Sequence, residues 1–249
     1  MKLEKIIAVR NTKVVYKEDN DCIKVFNENF SKADILNEAL NHARVEELPI
    51  NVPSIKAVTM IDGKWAIVTE YIKGNTLAQL MEKNPDKKDQ YLEEFVDLQI
   101  MVQKNVSPLL TKLKDKMNRK INLADINATT KYDLFTRLES MPKGNSLCHG
   151  DFNPSNIIIN EEGKAYIIDW SHATQGNPCA DLARTYLLFW LDGDIASADK
   201  YLDLYCAKTG KAKKEVQRWL PIVAASQSVK GNESEREFLL SWVNVVDYE

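Results

Sequence analysis

Short runs of apolar and β-branched residues, separated by polar turns, open the chain and predict an antiparallel sheet. The predicted strands are Ile6 to Val9, Thr12 to Tyr16, Cys22 to Phe26, Ile55 to Met60 and Lys64 to Thr69. The turn Glu18-Asp19-Asn20-Asp21 joins the second and third strands, and Asp62-Gly63 favours a tight hairpin between the last two. A helix is predicted between the two groups, from Lys32 to Glu47.

Helical periodicity dominates the rest of the chain. From Thr76 to about Met141 apolar residues such as Phe95 and Val102 recur at the spacing of a helix face, which is typical of packing rather than of a ligand site. Further helices are predicted at Ala196 to Lys208, Lys211 to Ser228 and Glu233 to Val246, the second of them kinked or split by Pro221. A sheet followed by helices predicts the α+β class.

The stretch from Leu147 to Trp170 predicts a hairpin with polar groups at its ends. If Ile157 to Asn160 pairs with Ala165 to Ile168, Asn156 and Asp169 emerge side by side, and Asp151 lies about one loop away. An amide and a carboxylate oxygen suit Mg²⁺, which takes hard oxygen ligands together with substrate phosphates. A second carboxylate nearby could accept a hydroxyl proton. The pattern predicts a phosphoryl-transfer site.

The residues His149-Gly150-Asp151-x-x-x-x-Asn156 and Ile168-Asp169-Trp170 resemble the catalytic core of the aminoglycoside phosphotransferase family. This family is a small-molecule branch of the protein-kinase-like fold, and its motif is similar to the kinase H-R-D-x-x-x-x-N and D-F-G motifs. The resemblance implies that Asp151 is the catalytic base and that Asn156 and Asp169 bind magnesium. His149 would orient the loop.

The same resemblance implies two lobes around a nucleotide, either ATP or GTP. We expect a small nucleotide-binding lobe with an antiparallel sheet at residues 1–70, a hinge at 71–74, and a larger, mainly helical catalytic and acceptor-binding lobe at 75–249. In the hinge, the Glu70 carbonyl and the Ile72 amide would bind adenine. No G-x-G-x-x-G lies between the first two strands, so what covers the phosphates is left open.

Lys24 lies between Cys22 and Phe26 on one face of its strand, where an ammonium group requires a partner. By resemblance to the kinase strand lysine it would contact the nucleotide phosphates, with Glu38 as its partner and Glu46 or Glu47 as alternatives. Periodicity alone places Glu38 opposite an apolar stripe formed by Leu36, Leu40 and Ala43, as expected for a solvated glutamate.

Asp181 begins an apolar helix and is expected to be structural, either capping that helix or steadying the His149-Gly150-Asp151 loop. Asp181 follows Asp169 by only twelve positions, too few for a long activation segment that docks peptides. In the family, the C-terminal helices build the acceptor pocket and present carboxylates to a cationic sugar. Candidates for this role are Asp192, Asp194, Glu233, Glu235 and Glu237.

Composition adds mainly exclusions. The net charge is -3, and no stripe of lysine and arginine interleaves with aromatic residues, so no nucleic-acid partner is expected. Four scattered cysteines indicate reduced thiols rather than a disulfide framework or a zinc site. The N-terminal residues lack a long apolar stretch, and the apolar runs elsewhere are too short to span a bilayer, so no membrane partner and a cytoplasmic location are expected.

The acceptor is expected to be a hydroxyl of a small molecule, aminoglycoside-like or a related metabolite. A choline- or sugar-type metabolite kinase has nearly the same sequence pattern, and a compact atypical protein kinase would use the same catalytic residues. A nucleotide-binding module without turnover is the alternative of another class, since the glycine-rich loop is missing.

Overall fold

The computed structural model describes residues 3, 5–229 and 233–243. The strands are β1 (Lys5–Val9), β2 (Lys13–Glu18), β3 (Asp21–Phe26), β4 (Ile55–Ile61), β5 (Lys64–Glu70), β6 (Gly74–Thr76), β7 (Ser146–Cys148), β8 (Ile157–Asn160), β9 (Ala165–Ile167) and β10 (Thr174–Gly176). The helices are α1 (Lys32–Glu46), α2 (Leu77–Lys83), α3 (Lys88–Gln103), α4 (Leu113–Leu123), α5 (Ala128–Ser140), α6 (Pro178–Leu191), α7 (Ile195–Thr209), α8 (Lys213–Gln217), α9 (Leu220–Gln227) and α10 (Glu233–Ser241).

These elements group into two compact units. One unit contains the chain up to Asn84 together with Pro154 to His172, and the other contains Pro85 to Asn153 and the chain from Ala173 onward. The lobe boundaries expected from the sequence, with a hinge at residues 71–74, stay a prediction about which part binds nucleotide and which binds acceptor.

The first unit is built on a five-stranded antiparallel sheet in the order β1-β2-β3-β5-β4, and the strands predicted from the sequence are confirmed. Its residues alternate between two faces. One face buries Ile23 and Ala66, whereas the other packs Phe26 and Ile67 against α1. The sheet therefore places Lys24, which lies two residues from Phe26, on the side that faces the helix.

Helix α1 buries a different face from the one predicted. Leu36 and Leu40, expected in the apolar stripe, are exposed, whereas Ile35, Ala39 and Val45 are buried. Apolar residues occur on both sides of this helix, and Phe26 and Ile67 on the sheet select the Ile35 side. Glu38 shares that buried side, so the prediction that its position is that of a solvated glutamate is wrong.

The predicted hairpin is confirmed, with β8 and β9 paired antiparallel through Ile157 and Ile167. The structure adds β6, which pairs with β8 on its other side. Gly74 begins β6 opposite Asn160, and a Cβ atom at Gly74 would lie 2.1 Å from the carbonyl oxygen of Ile159. The glycine is therefore explained by this close approach.

The second unit is mainly helical. Helix α6 packs against α7 and α9, and the core of the unit contains Phe95, Phe152 and Tyr201, with ring centroids 4.8 Å apart for Phe95–Phe152 and 5.7 Å apart for Phe95–Tyr201. The predicted break at Pro221 is confirmed, because α8 ends at Gln217 and α9 begins at Leu220. The end of the last predicted helix, at Val246, lies outside the described residues.

Two further observations bear on the sequence predictions. All four cysteines are free thiols, of which Cys148 and Cys179 are buried. Across the part of the chain that the structure describes, no helix combines the length and apolarity that a bilayer crossing requires.

Candidate active site

A cluster of two lysines and two carboxylates lies within the first unit. The ammonium group of Lys24, on β3, lies 2.8 Å from Oε1 of Glu38 and 3.3 Å from Oδ1 of Asp169. Lys13, the first residue of β2, contacts the same carboxylates at 3.2 Å and 3.3 Å. The structure thus contains the expected Lys24–Glu38 ion pair and adds Lys13, which the sequence analysis did not single out.

Burial makes these charges depend on one another. The side chains of Lys24 and Glu38 are only 15% and 8% exposed. Burial by itself lowers the pKa of Lys24, but the carboxylates of Asp169 and Glu38 outweigh it and raise that pKa above its ordinary range. Lys24 is therefore a permanent cation at neutral pH.

A cavity of about 520 Å³ opens beside this cluster, within the volume range of small-molecule sites. Its wall includes residues of β2 and β3, of the segment from Thr69 to Ile72, and of the end of the β8–β9 hairpin. Six of the residues predicted from the sequence line it: Lys24, Glu38, Glu70, Ile72, Asn156 and Asp169. All of these residues belong to the first unit.

The end of β5 and the two residues after it line the same cavity. Glu70, Tyr71 and Ile72 line it. The Tyr71 amide donates a hydrogen bond to the Asn20 carbonyl at 2.9 Å, so it is already used within the unit. The predicted adenine contacts use the Glu70 carbonyl and the Ile72 amide, which belong to the residues on either side of Tyr71.

The end of the hairpin brings Asn156 and Asp169 together, as the spacing predicts. The Ile168 amide donates to the Asn156 carbonyl at 2.9 Å, one residue before Asp169. Asp169 has a φ of +62°, in the left-handed region that few residues other than glycine adopt. Backbone strain of this kind persists where the surrounding structure fixes a side chain for a purpose.

The donor set at this point fits Mg²⁺. Asn156 supplies an amide oxygen and Asp169 a carboxylate that is 27% exposed, and both line the cavity. Magnesium is usually bound by one or two carboxylates plus phosphates and water rather than by a complete protein cage. The described residues contain no group of three or more His, Cys, Asp or Glu side chains that could hold a metal ion.

The loop that contains Asp151 lies in the second unit and is fixed by Asp181. The buried carboxylate of Asp181 accepts the backbone amides of His149 at 3.3 Å and Gly150 at 2.7 Å. The N-cap of α6 is instead Asn177. Of the two roles considered from the sequence, steadying the loop is confirmed. His149 is fully buried, and its Nδ1 accepts the Asp151 amide at 3.2 Å.

The Asp151 carboxylate is 30% exposed and is positioned by two side chains. Nη2 of Arg184 lies 3.4 Å from its Oδ1, and Nδ2 of Asn153 lies 3.4 Å from its Oδ2. Burial lowers the pKa of Arg184, and the charge of Asp151 opposes that shift. Sequence reasoning missed Arg184, although it follows Asp181 by three residues and therefore lies on the same face of α6.

The acidic residues proposed for the acceptor pocket differ in their surroundings. Asp194 caps α7 through the Ser197 amide and pairs with Lys88 at 2.6 Å, so it has a structural role. Burial raises the pKa of Asp192, and the charges of Asp194 and Asp151 raise it further. On α10, Glu235 is half-buried, whereas its two acidic neighbours Glu233 and Glu237 are exposed.

Comparisons with known proteins match most of the chain. The model of a family described as the phosphotransferase enzyme family matches residues 14–218. Among curated protein sequences, none matches the chain.

Solved structures are similar along nearly the whole chain. A thermostable mutant of aminoglycoside phosphotransferase APH(4)-Ia, in a ternary complex with AMP-PNP and hygromycin B, superposes with a TM-score of 0.70 and 12% identity, covering 96% of this chain and 90% of that one. Choline kinase LicA from Streptococcus pneumoniae gives 0.67 and 15%, covering 98% and 92%. Aminoglycoside-3'-phosphotransferase of type VIII gives 0.67 and 13%, covering 89% and 93%. The α+β, protein-kinase-like fold predicted from the sequence is confirmed.

Proposed function

Because the chain belongs to the phosphotransferase enzyme family, we propose that it transfers the γ-phosphoryl group of ATP or GTP to a hydroxyl of a small molecule. The observation that carries this proposal is the Lys24–Glu38–Asp169 cluster on the wall of a cavity large enough for a nucleotide. A lysine–glutamate pair beside a metal-binding aspartate is the arrangement on which protein-kinase-like catalysis depends.

The nucleotide is bound by residues of the first unit. Lys24 contacts the phosphates while Glu38 holds its ammonium group in place, and the backbone groups of Glu70 and Ile72 bind the base. ATP is favoured over GTP because similar structures contain AMP-PNP or ADP. This preference is open to a direct titration with both nucleotides.

Asn156 and Asp169 would hold magnesium. A metal held there would supply positive charge to offset the negative charge of the phosphates during transfer. The left-handed backbone at Asp169 is an unusual conformation of the kind that clusters at functional sites, and it supports a role for this side chain.

Asp151 accepts the proton of the acceptor hydroxyl. The hydroxyl oxygen forms a bond to the γ-phosphorus as the bond to the nucleoside diphosphate breaks, and the proton passes to Asp151. Asp181 fixes the loop through its two amide contacts, and Arg184 orients the Asp151 carboxylate. The site provides positioning and charge rather than a nucleophile, so no covalent enzyme intermediate forms.

The acceptor is aminoglycoside-like or a related hydroxylated metabolite. Similar structures include one with bound hygromycin B and one of a choline kinase. Hygromycin B and choline both carry positive charge. Asp192 and Glu235 add negative charge near Arg184 and Asp151, which suits a cationic acceptor. The short interval between Asp169 and Asp181 disfavours a protein acceptor. The expected cytoplasmic location and the expected lack of nucleic-acid and membrane partners stay predictions.

The test is nucleotide turnover with Mg²⁺ across a panel of aminoglycosides, choline, ethanolamine and sugars. We expect one acceptor class to stimulate turnover, and Asp151→Ala to reduce the stimulated rate by about 100-fold or more while nucleotide still binds, since a general base contributes about 100- to 10,000-fold. Chelation of the metal should abolish turnover.

The same panel separates the alternatives. Stimulation by choline or a sugar alone identifies a metabolite kinase, and phosphorylation of a protein substrate identifies an atypical protein kinase. Nucleotide binding without any acceptor-dependent turnover would contradict the proposal and favour a binding module.

A further inference from the structure

The turn between β1 and β2 cannot cover a nucleotide's phosphates in the usual way of protein kinases, where a glycine-rich loop lies over them. Its residues, 10–12, contain no glycine. The Arg10 amide donates to the Lys13 carbonyl at 2.9 Å, so this amide is consumed inside the turn. From outside, Asn27 donates its backbone amide to Thr12 at 2.9 Å and its side-chain amide to Asn11 at 2.8 Å. The turn is short and held closed.

The residue that follows this turn is Lys13, and its side chain enters the cavity. In the pairing of β2 with β3, Lys13 lies opposite Phe26 and Val15 lies opposite Lys24. Residues directly opposite one another share a face of the sheet, so Lys13 and Lys24 are diagonal neighbours on the same face. Both line the cavity.

A metal bound at Asp169 would leave Lys13 with only one of its two carboxylate partners, Glu38, which already pairs with Lys24. Lys24 and Glu38 form one pair at 2.8 Å, and Lys13 is held by Glu38 and Asp169 at 3.2 Å and 3.3 Å. Its side chain is only 12% exposed, so an anion must accompany its charge. If Asp169 held magnesium instead, the phosphate chain of a nucleotide in the same cavity would be the anion available to Lys13.

We propose that Lys13 is a second phosphate-binding cation, which exchanges Asp169 for the β- and γ-phosphates of a nucleoside triphosphate and supplies from β2 the contacts that a glycine-rich loop would otherwise make. The inference rests on the proposed function, because it assumes that the cavity accepts a nucleotide. Lys24 and Lys13 then hold the phosphates from two adjacent strands of one sheet.

A purely structural lysine makes a different prediction. If Lys13 only balances Glu38 and Asp169, its removal disturbs the cavity for every nucleotide by the same factor. If it contacts the terminal phosphates, its removal weakens ATP binding and leaves AMP binding unchanged. The ratio of the two dissociation constants distinguishes the roles.

The experiment measures dissociation constants of ATP and AMP, with Mg²⁺, for the wild type, Lys13→Met and Lys56→Met by calorimetry. Lys56 is the matched control, since it lies on β4 of the same sheet, pairs with Asp21 and does not line the cavity. We expect Lys13→Met to reduce the preference for ATP over AMP by about tenfold, as for the loss of one charge-assisted hydrogen bond. Lys56→Met should keep the wild-type preference.

The proposal would be overturned if Lys13→Met kept the wild-type preference for ATP over AMP, whether both affinities stayed the same or both fell by the same factor. Because the titrations require no acceptor and no turnover, a chain that binds ATP but phosphorylates nothing fails the proposed function and still tests Lys13.

A second measurement uses the unaltered protein, in case Lys13→Met fails to fold. Amine-reactive labelling of the wild type, followed by mass spectrometry, should show Lys13 protected by MgATP, and with AMP it should be labelled at the rate measured without nucleotide. Equal labelling of Lys13 with ATP, with AMP and without nucleotide would overturn the proposal.

Discussion

At the scale of single residues, Asp181 supports the loop that contains Asp151. Its buried carboxylate accepts two backbone amides of the loop at residues 149–150. Asp181→Asn keeps the shape of the side chain but removes its negative charge. Its NH₂ group, a donor, would then face a backbone amide that is also a donor. We expect a loss of about 2 kcal/mol in the free energy of unfolding, measured with urea.

Asp203→Asn serves as the control for that variant, because Asp203 is exposed and pairs with Lys213 at the surface. A surface ion pair contributes about 1 kcal/mol or less, so this change should be nearly silent. Equal unfolding curves for Asp181→Asn and the wild type would show that the loop does not depend on the carboxylate.

Cys22 provides a probe of the cavity that needs no substitution. Its thiol lines the cavity, and burial raises its pKa, an effect that the charge of Lys24 only partly offsets. The thiolate is the reactive form, so at a given pH the raised pKa lowers the rate of alkylation. We expect slow labelling by iodoacetamide that accelerates as the pH rises beyond about 8.5, the ordinary pKa of a cysteine.

Nucleotide should slow this reaction at Cys22 alone. Cys206 is the internal control, since burial also raises its pKa but it lies in the second unit, away from the lining residues. Labelling at both thiols is read by mass spectrometry. Unchanged labelling of Cys22 at saturating MgATP would place the nucleotide elsewhere.

The residues that the sequence could and could not predict differ in what defines them. Lys24 stood out because it interrupts an apolar strand face, and Asp151, Asn156 and Asp169 because their spacing is rare. Lys13 is defined by strand register, which a single strand does not reveal. The role of Arg184 is evident only from its contact with Asp151, which lies thirty-three residues earlier in the chain.

At the scale of elements, Gly74 tests whether β6 is a required third strand of the hairpin sheet. A Cβ atom there would lie 2.1 Å from the Ile159 carbonyl oxygen, so Gly74→Ala must separate β6 from β8. We expect a destabilisation of about 3 kcal/mol, as for a severe overpacking change. Thermal and urea unfolding measure it.

Gly163→Ala is the comparison. Gly163 has a φ of +78°, and no atom lies within 4 Å of the position that a Cβ atom would take, so only backbone strain of about 1 kcal/mol is expected. If Gly74→Ala is no worse than Gly163→Ala, the close approach of the two strands is not a constraint on stability.

Elements with one strong local signal were predictable, and elements chosen by packing were not. The β8–β9 hairpin has two apolar runs around a polar turn, and the structure contains it. Helix α1 has apolar residues on two faces, so its buried side depends on Phe26 and Ile67 of the sheet, which are distant in sequence. The same dependence hid the burial of Glu38.

At the scale of the whole molecule, chain order predicted a sheet followed by helices, and the matched structures confirm that class. Residues from Pro154 to His172 nevertheless group with the first unit, because β8 pairs with β6. Such pairing joins segments more than eighty residues apart, and local periodicity carries no information about it.

The most direct measurement of the central claim follows the phosphoryl group itself. ATP labelled with ¹⁸O at the γ-phosphate is incubated with Mg²⁺, the chain and the acceptor that stimulates turnover, and the products are separated by mass spectrometry. We predict a phosphate monoester on the acceptor that retains the γ-phosphate label, formed about 100-fold or more slowly by Asp151→Ala. Label found only in inorganic phosphate, with the acceptor unmodified, would contradict the account.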